Sequence, residues 1–223
     1  AKADGVLCGV DIAMRVFTFL QPGVITEIYK HDGDLLKKGD VIAKINGSTR
    51  ALLKGERTAL NLLQHLSGIA TATHQAVLLT SGTKAGITDT RKTLPGLRPL
   101  QKYAVVTGGG KNHRYNLSDA AMLKDNHIDA AGGIANAVET LKGKLGHMVK
   151  IEVEVRTLEE LQQALQAGAD IIMLDNMAPQ TMAQAVKITN GQALLEASGG
   201  ITQQTLREIA QTGVDIISIG ALT

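Results

Sequence analysis

The sequence predicts an α/β protein: a (β/α) barrel-like parallel domain preceded by a small α+β sandwich domain. Three observations carry that prediction. In the second half, short apolar runs and helix-patterned stretches alternate, with strands about twenty residues apart, and such alternation implies parallel strands joined by crossover helices. Gly168-Ala169-Asp170 and Gly213-Val214-Asp215 enter their strands alike, a hint of a repeating barrel unit. Residues 1–55 differ in texture, with short β-prone runs broken by turn signals.

Taken in order, Leu7–Val10, Val24–Tyr29 and Val41–Ile45 are the front-end strands, and Ile12–Leu20 is a helix. Gln21-Pro22-Gly23, His31 to Asp34 and Lys38-Gly39-Asp40 are the turns between them. From Glu56 the period changes. Ala59, Leu62, Leu63, Leu66, Ile69 and Ala70 recur at three- and four-residue steps, one face of an amphipathic helix reaching about Leu79. The expected domains are therefore 1–55 (sandwich), 56–80 (connecting helix) and 81–223 (barrel). Within the last, Ala85–Thr88, Ile151–Val155, Ile171–Leu174, Ala193–Ala197 and Ile216–Ile219 are strands, with Val105–Val106 as a further short one. Helices follow at Leu158–Ala167, Pro179–Thr189 and Gln203–Thr212, each closed by a glycine. Leu117–Asn126 is a strand or short helix exposing Lys124. The carboxyl end reads as incomplete, since a barrel strand expects a helix after it and only Gly220 to Thr223 follow.

Composition narrows the class. Apolar residues make up 44% of the chain and charged residues 20%, enough for a packed core and against disorder. The net charge of +2 and an aromatic content of 2% argue against nucleic acid, which calls for basic patches and stacking rings. Apolar runs such as Ile171–Leu174 are too short for a membrane span of about 20 residues, and no charged-then-apolar leader opens the chain. The single cysteine, Cys8, makes no internal disulfide. It is placed in a buried strand without chemistry, and a reducing cytoplasm is expected.

In a (β/α) barrel, reacting groups sit at the carboxyl ends of the strands. Asp89 to Lys92 follow one strand, Glu152 and Glu154 share one face of another, and Asp175-Asn176, Ser198-Gly199-Gly200 and Gly220 end the rest. Gly108 to Arg114 adds His113 and Arg114. Arg91, Lys92, His113, Arg114 and Lys124 thus collect opposite Glu154 and Asp175, a mouth suited to a polyanion. The two acids suit Mg²⁺, which takes carboxylates and substrate phosphate oxygens. The amides of Ser198, Gly199, Gly200 and Gly220 suit a phosphate. Plainer readings stand beside these: a solvated loop for Arg91-Lys92, a helix cap for Asp175, an ordinary turn for Gly199-Gly200. Joint placement at strand ends is what favours the site.

The runs Gly55 to Asn61, Asp89 to Arg98, Gly108 to Arg114, Met122 to His127, Glu152 to Glu154, Met173 to Asn176 and Ser198 to Gly200 resemble, in order, those of quinolinate phosphoribosyltransferases. The resemblance spans essentially the whole chain, and it implies that both ends are truncated, with a helical segment expected before the first residues and a further helix after Thr223. It implies quinolinate and phosphoribosyl pyrophosphate as substrates, and nicotinate mononucleotide, pyrophosphate and CO₂ as products of a step in NAD biosynthesis. By position it implies that Arg91, His113, Arg114 and Lys124 hold the quinolinate carboxylates. Arg57 would reach a neighbouring subunit's site in a homodimer or larger assembly. Lys92, Glu154 and Asp175 would meet the phosphoribosyl group and Mg²⁺, with Ser198, Gly199, Gly200, Ser218 and Gly220 around the 5-phosphate. A paralogous phosphoribosyltransferase (molybdenum-associated or nicotinate-specific) is the nearest rival. A Schiff-base aldolase using Lys92 or Lys124 and a lipoyl-like carrier built on Pro22–Asn46 are the more distant ones.

Overall fold

A computed structural model describes residues 1–223. The chain divides into two compact units, one of residues 1–77, 92–111 and 222–223, the other of residues 78–91 and 112–221.

The first unit holds β1 (Gly5–Val6), α1 (Val10–Leu20), β2 (Ile25–Ile28), β3 (Leu35–Leu36), β4 (Ala43–Asn46), most of α2 (Thr49–Thr80) and α3 (Arg98–Thr107). Its strands form two antiparallel pairs, β1 with β3 and β2 with β4. Ala13, Met14, Phe17, Val24 and Ala59 make one core cluster, so α1 and α2 share an apolar seam. Gly55 permits it: a Cβ there would lie 2.8 Å from Phe17 Cδ1.

Four sequence expectations are corrected in this unit. The long helix begins at Thr49, not Glu56, because Ser48 caps it: its Oγ accepts from the Ala51 N–H at 3.3 Å. Leu7–Val10 is not a strand, since β1 ends at Val6 and α1 starts at Val10. Cys8 is fully buried but lies in the connection between them, where burial pushes its thiol up to about 11. Val105–Val106 lies inside α3, with Ala104 and Val105 buried and Val106 turned outward; Pro99 in the first turn favours the helix start.

The second unit is built on six parallel strands: β5 (Gly86–Thr88), β6 (Ala121–Leu123), β7 (Ile151–Val155), β8 (Ile171–Asp175), β9 (Leu194–Ser198) and β10 (Ile216–Ser218). Their order is β5-β10-β9-β8-β7-β6. Leu117–Asn126 resolves into β6 and the start of a helix, with Lys124 extended between them. The crossover helices are α4 (Asp125–Ala131), α5 (Ile134–Lys142), α6 (Leu158–Gln166), α7 (Pro179–Thr189) and α8 (Gln203–Gln211). Local chemistry sets their limits. The Thr157 hydroxyl accepts from the Glu160 N–H at 3.2 Å to open α6, Pro179 opens α7, and Thr202 with Thr205 forms a capping box before α8.

Alternation along each strand divides the sheet into two faces. Val153, Val155, Ile172, Leu174, Leu195, Ala197 and Ile217 form a buried apolar set, matched by buried Leu161, Ala164, Ala185 and Leu206 on the helices. The other face carries Glu152, Glu154, Asp175, Glu196, Ser198 and Ser218. Register aligns Glu154 with Met173 and Met173 with Glu196, and Asp175 with Ser198. No helix is long and apolar enough to cross a membrane.

Candidate active site

Two layers of polar side chains occupy that second face. The deeper one is a cluster of His113, Glu152 and Glu196. His113 Nε2 lies 3.4 Å from Glu152 Oε2 and 3.5 Å from Glu196 Oε2, with side-chain exposures of 13%, 2% and 2%. The second oxygen of each glutamate is buried without a partner. Asp89, itself fully buried, accepts the His113 main-chain N–H at 2.8 Å and so ties the loop to the end of β5.

Burial works against a charged His113 ring, but hydrogen bonds to Glu152 and Glu196 outweigh it and raise its pKa to about 10. Burial also pushes Glu152 up, against the pull of the ring. Both groups therefore compete for the same added proton. The Arg114 N–H donates to His113 Nδ1 at 2.8 Å, which requires a lone pair on that nitrogen. Nε2 is therefore the nitrogen that donates to the two glutamates.

The outer layer sits at the rim. Lys124 Nζ lies 2.6 Å from Glu154 Oε2, with the lysine half exposed. Arg156 reaches Asp125 at 3.0 Å and Asp175 at 3.7 Å. Arg114 is half-buried, donates to the Ala120 carbonyl at 2.9 Å and contacts Met122 Sδ at 3.4 Å. Burial and then the neighbouring charge of Arg91 both push its pKa down. Two guanidinium groups that repel one another in a partly buried place give this part of the site a concentrated positive charge.

The ends of β9 and β10 carry a glycine turn and buried hydroxyls. Gly199 and Gly200 have φ of 91° and 61°, a left-handed turn after Ser198 that glycine adopts without penalty. Ser218 Oγ and Thr88 Oγ1 are buried without partners on paired positions of β10 and β5. Gly220 opens a short 3₁₀ turn beyond β10.

The second unit therefore brings Arg91, His113, Arg114, Lys124, Glu154, Asp175, Ser198, Gly199, Gly200, Ser218 and Gly220 to the strand ends. Lys92 and Arg57 belong to the first unit. Lys92 is exposed, with its carbonyl accepting from Thr223 Oγ1 at 3.0 Å, and Arg57 is exposed on α2. Sequence reasoning gave no role to Asp89, Glu152, Glu196, Arg156 or Asn176. For Glu196 a signal was available: it lies two residues before Ser198, hence on the same face.

A parallel α/β scaffold with a cationic mouth, paired carboxylates and a glycine turn at its strand ends defines an enzyme of small, multiply anionic, phosphorylated substrates. The chain belongs to the quinolinate phosphoribosyl transferase family: the N-terminal domain of that family matches residues 1–67 and the C-terminal domain residues 69–223. It is 50% identical over 223 residues to the probable nicotinate-nucleotide pyrophosphorylase [carboxylating] of Bacillus subtilis, covering 100% of this chain and 77% of that protein. Identity to the chloroplastic nicotinate-nucleotide pyrophosphorylase [carboxylating] of Arabidopsis thaliana is 43% over 242 residues, covering 100% of this chain and 69% of the relative. Among solved structures, NadC from Streptococcus pyogenes superposes with a TM-score of 0.96 at 44% identity, over 100% of this chain and 79% of that one.

Proposed function

We infer that this chain transfers the phosphoribosyl group of phosphoribosyl pyrophosphate to the ring nitrogen of quinolinate, with decarboxylation, in NAD biosynthesis. The observation that carries the substrate reading is the half-buried pair Arg91 and Arg114, whose mutual repulsion is relieved by a planar dicarboxylate. A planar dicarboxylate can engage both guanidinium groups at once, whereas a monocarboxylate can pair fully with only one. His113 and Lys124 complete the carboxylate side in this proposal.

Chemistry then follows from positioning. Paired guanidinium–carboxylate contacts fix the plane of the ring and aim its nitrogen at the anomeric carbon. As the nitrogen lone pair forms the new bond, the bond from that carbon to pyrophosphate breaks and its electrons leave with pyrophosphate. Glu154 and Asp175 face the positive charge that develops on the sugar. The ring nitrogen is then cationic, so the adjacent carboxylate departs as CO₂, its bonding electrons stay on the ring carbon, and that carbon takes a proton. No general base is required.

Glu154 and Asp175 fit Mg²⁺ in donor chemistry, since both offer carboxylate oxygens at the rim and Mg²⁺ favours one or two carboxylates plus phosphate oxygens. Bound there, it would neutralise charge on the departing pyrophosphate. Lys92 is proposed to meet the same group. Ser198, Gly199, Gly200, Ser218 and Gly220 are proposed to hold the 5-phosphate, with the unpartnered Ser218 hydroxyl in support. Arg57 is proposed to serve a second copy's site in a homodimer or larger assembly, and the cytoplasm is the proposed compartment.

The distant rivals lose support. Lys124 is ion-paired and half exposed, unlike the dry lysine of a Schiff-base enzyme. Gly47 to Ala51, where a carrier hairpin would present its lysine, is the cap and first turn of α2. The test is incubation with phosphoribosyl pyrophosphate, Mg²⁺ and either quinolinate or nicotinate, with mononucleotide and CO₂ measured by mass spectrometry. Product with CO₂ from quinolinate alone is expected, and product from nicotinate would overturn the substrate reading.

A further inference from the structure

Asn176 lies between the two parts of the proposed phosphoribosyl site and touches both. It follows Asp175 at the end of β8 and takes φ of 54°, a left-handed conformation uncommon outside glycine and tolerated best by asparagine. Its N–H donates to the Ser198 carbonyl at 2.9 Å, which holds the kink onto β9 one residue past the Asp175–Ser198 pair. Its side-chain amide donates from Nδ2 to Asp175 Oδ1 at 3.0 Å, while Asp175 Oδ2 faces Arg156 at 3.7 Å.

The other side of the amide lies flat on Gly199. A Cβ built on Gly199 would fall 2.3 Å from Asn176 Oδ1 and 2.5 Å from its Cγ, closer than any real contact. Gly199 is thus glycine for two reasons, its φ of 91° and the asparagine pressed against it. One side chain therefore sets the orientation of a carboxylate and limits the position of the glycine turn on the neighbouring strand. Two glycines on that turn and an unrelated polar residue at position 176 would leave these parts to move separately.

We propose that Asn176 is a positioning residue for phosphoribosyl pyrophosphate, fixing the spacing between the Asp175 carboxylate and the Gly199-Gly200 turn that receives the 5-phosphate. This rests on the reaction assigned above. It concerns phosphoribosyl pyrophosphate, because the groups that Asn176 meets, Asp175, Ser198 and Gly199, all belong to the proposed phosphoribosyl side. Both ends of one ligand are matched to a rigid frame, so affinity is gained by preorganisation.

The test is Asn176→Gly beside Asn176→Asp, with steady-state kinetics in each substrate and thermal unfolding. Glycine adopts the left-handed conformation freely, so Asn176→Gly should unfold no earlier than the parent while losing the amide. Its KM for phosphoribosyl pyrophosphate should rise about tenfold, the size of one lost hydrogen bond to a charged group, with KM for quinolinate changed by less than about twofold. Asn176→Asp keeps the shape but sets a carboxylate against Asp175 and should raise the same KM further. Unchanged KM values in Asn176→Gly would show that the residue serves only its backbone conformation and would overturn the proposal. Equal changes in both KM values, or an earlier melt, would do the same. If the parent protein fails to turn over quinolinate, the reaction assignment falls. Calorimetric titration with phosphoribosyl pyrophosphate then judges Asn176 separately: equal affinity of parent and Asn176→Gly rejects the proposal, and weaker binding by the variant supports it.

Discussion

Glu152 and Glu154 sit on the same strand and the same face, two residues apart, yet their surroundings are opposite. Glu152 is in the deep layer with His113 and Glu196, its side chain 2% exposed. Glu154 is at the rim, ion-paired to a half-exposed lysine. One residue pair of depth turns a carboxylate from a structural proton holder into a group available to ligands. The lesson is that this face has two layers: a sealed one that fixes the loop bearing His113 and Arg114, and an open one that is proposed to meet substrate. Substitutions in the two layers should therefore fail differently.

The largest effect is expected from breaking the deep layer. His113→Ala leaves two buried glutamates without their shared donor, and removing one partner of a buried charged cluster costs roughly 3–5 kcal/mol. Chemical denaturation should show that loss even without substrate. A loss below about 1 kcal/mol would mean that water reaches the cluster and that the two layers are not distinct. At the mouth, Arg91→Ala and Arg114→Ala should lower kcat/KM for quinolinate by about a hundredfold, in line with loss of a charge-assisted contact of roughly 1.5–3 kcal/mol. The KM for phosphoribosyl pyrophosphate should move little, and unfolding should stay near the parent for Arg91→Ala.

Deep and rim layers should also part in their pH dependence. His113 is raised from 6.5 to about 10 by its two glutamates against the effect of burial, and Glu152 is raised by burial. Wherever the proton rests, the folded protein holds it to higher pH than the unfolded chain does. The sign is that of a raised folded pKa: the stabilisation is complete at acid and near-neutral pH, below the unfolded value, and is lost as pH rises toward 10. The unfolding free energy should thus fall by on the order of a few kcal/mol between about pH 6.5 and pH 10. In Glu152→Gln the His113 ring loses one of the two carboxylates that raise its pKa, so the slope should flatten. A parent protein equally stable at both pH values would show that the folded cluster holds no extra proton above neutral pH.

The same layering explains what was legible in the sequence. Strand ends carry the reacting groups in parallel α/β folds, so Arg91, Glu154, Asp175 and Ser198 stand out by position alone. Glu152 and Glu196 do not, because their partner His113 comes from a loop distant in sequence and only folding brings them together. At the front end the strands β1 and β3 have two residues each, too few for alternation to register. There a serine ahead of Thr49-Arg50-Ala51 is a helix-cap signal that the apolar periodicity from Glu56 onward does not reach. The strand expected at Val105–Val106 failed because β-branched pairs occur on helices wherever tertiary burial favours one face.

The smallest stability change belongs to the rim. Lys124 and Glu154 approach to 2.6 Å, but the lysine is 48% exposed, so solvent screens the pair and its release from a long side chain recovers entropy. Lys124→Ala should alter unfolding by less than about 1 kcal/mol, in contrast to His113→Ala. Its effect on catalysis is expected to be larger than its effect on folding, because Lys124 is proposed to trade Glu154 for a quinolinate carboxylate when substrate enters. KM for quinolinate should then rise about tenfold, the size of one charge-assisted hydrogen bond, while Glu154, freed of its partner, remains in place on β7. A Lys124→Ala variant that unfolds early but keeps its quinolinate KM would place Lys124 with the structural layer and move the boundary between the two layers outward by one residue.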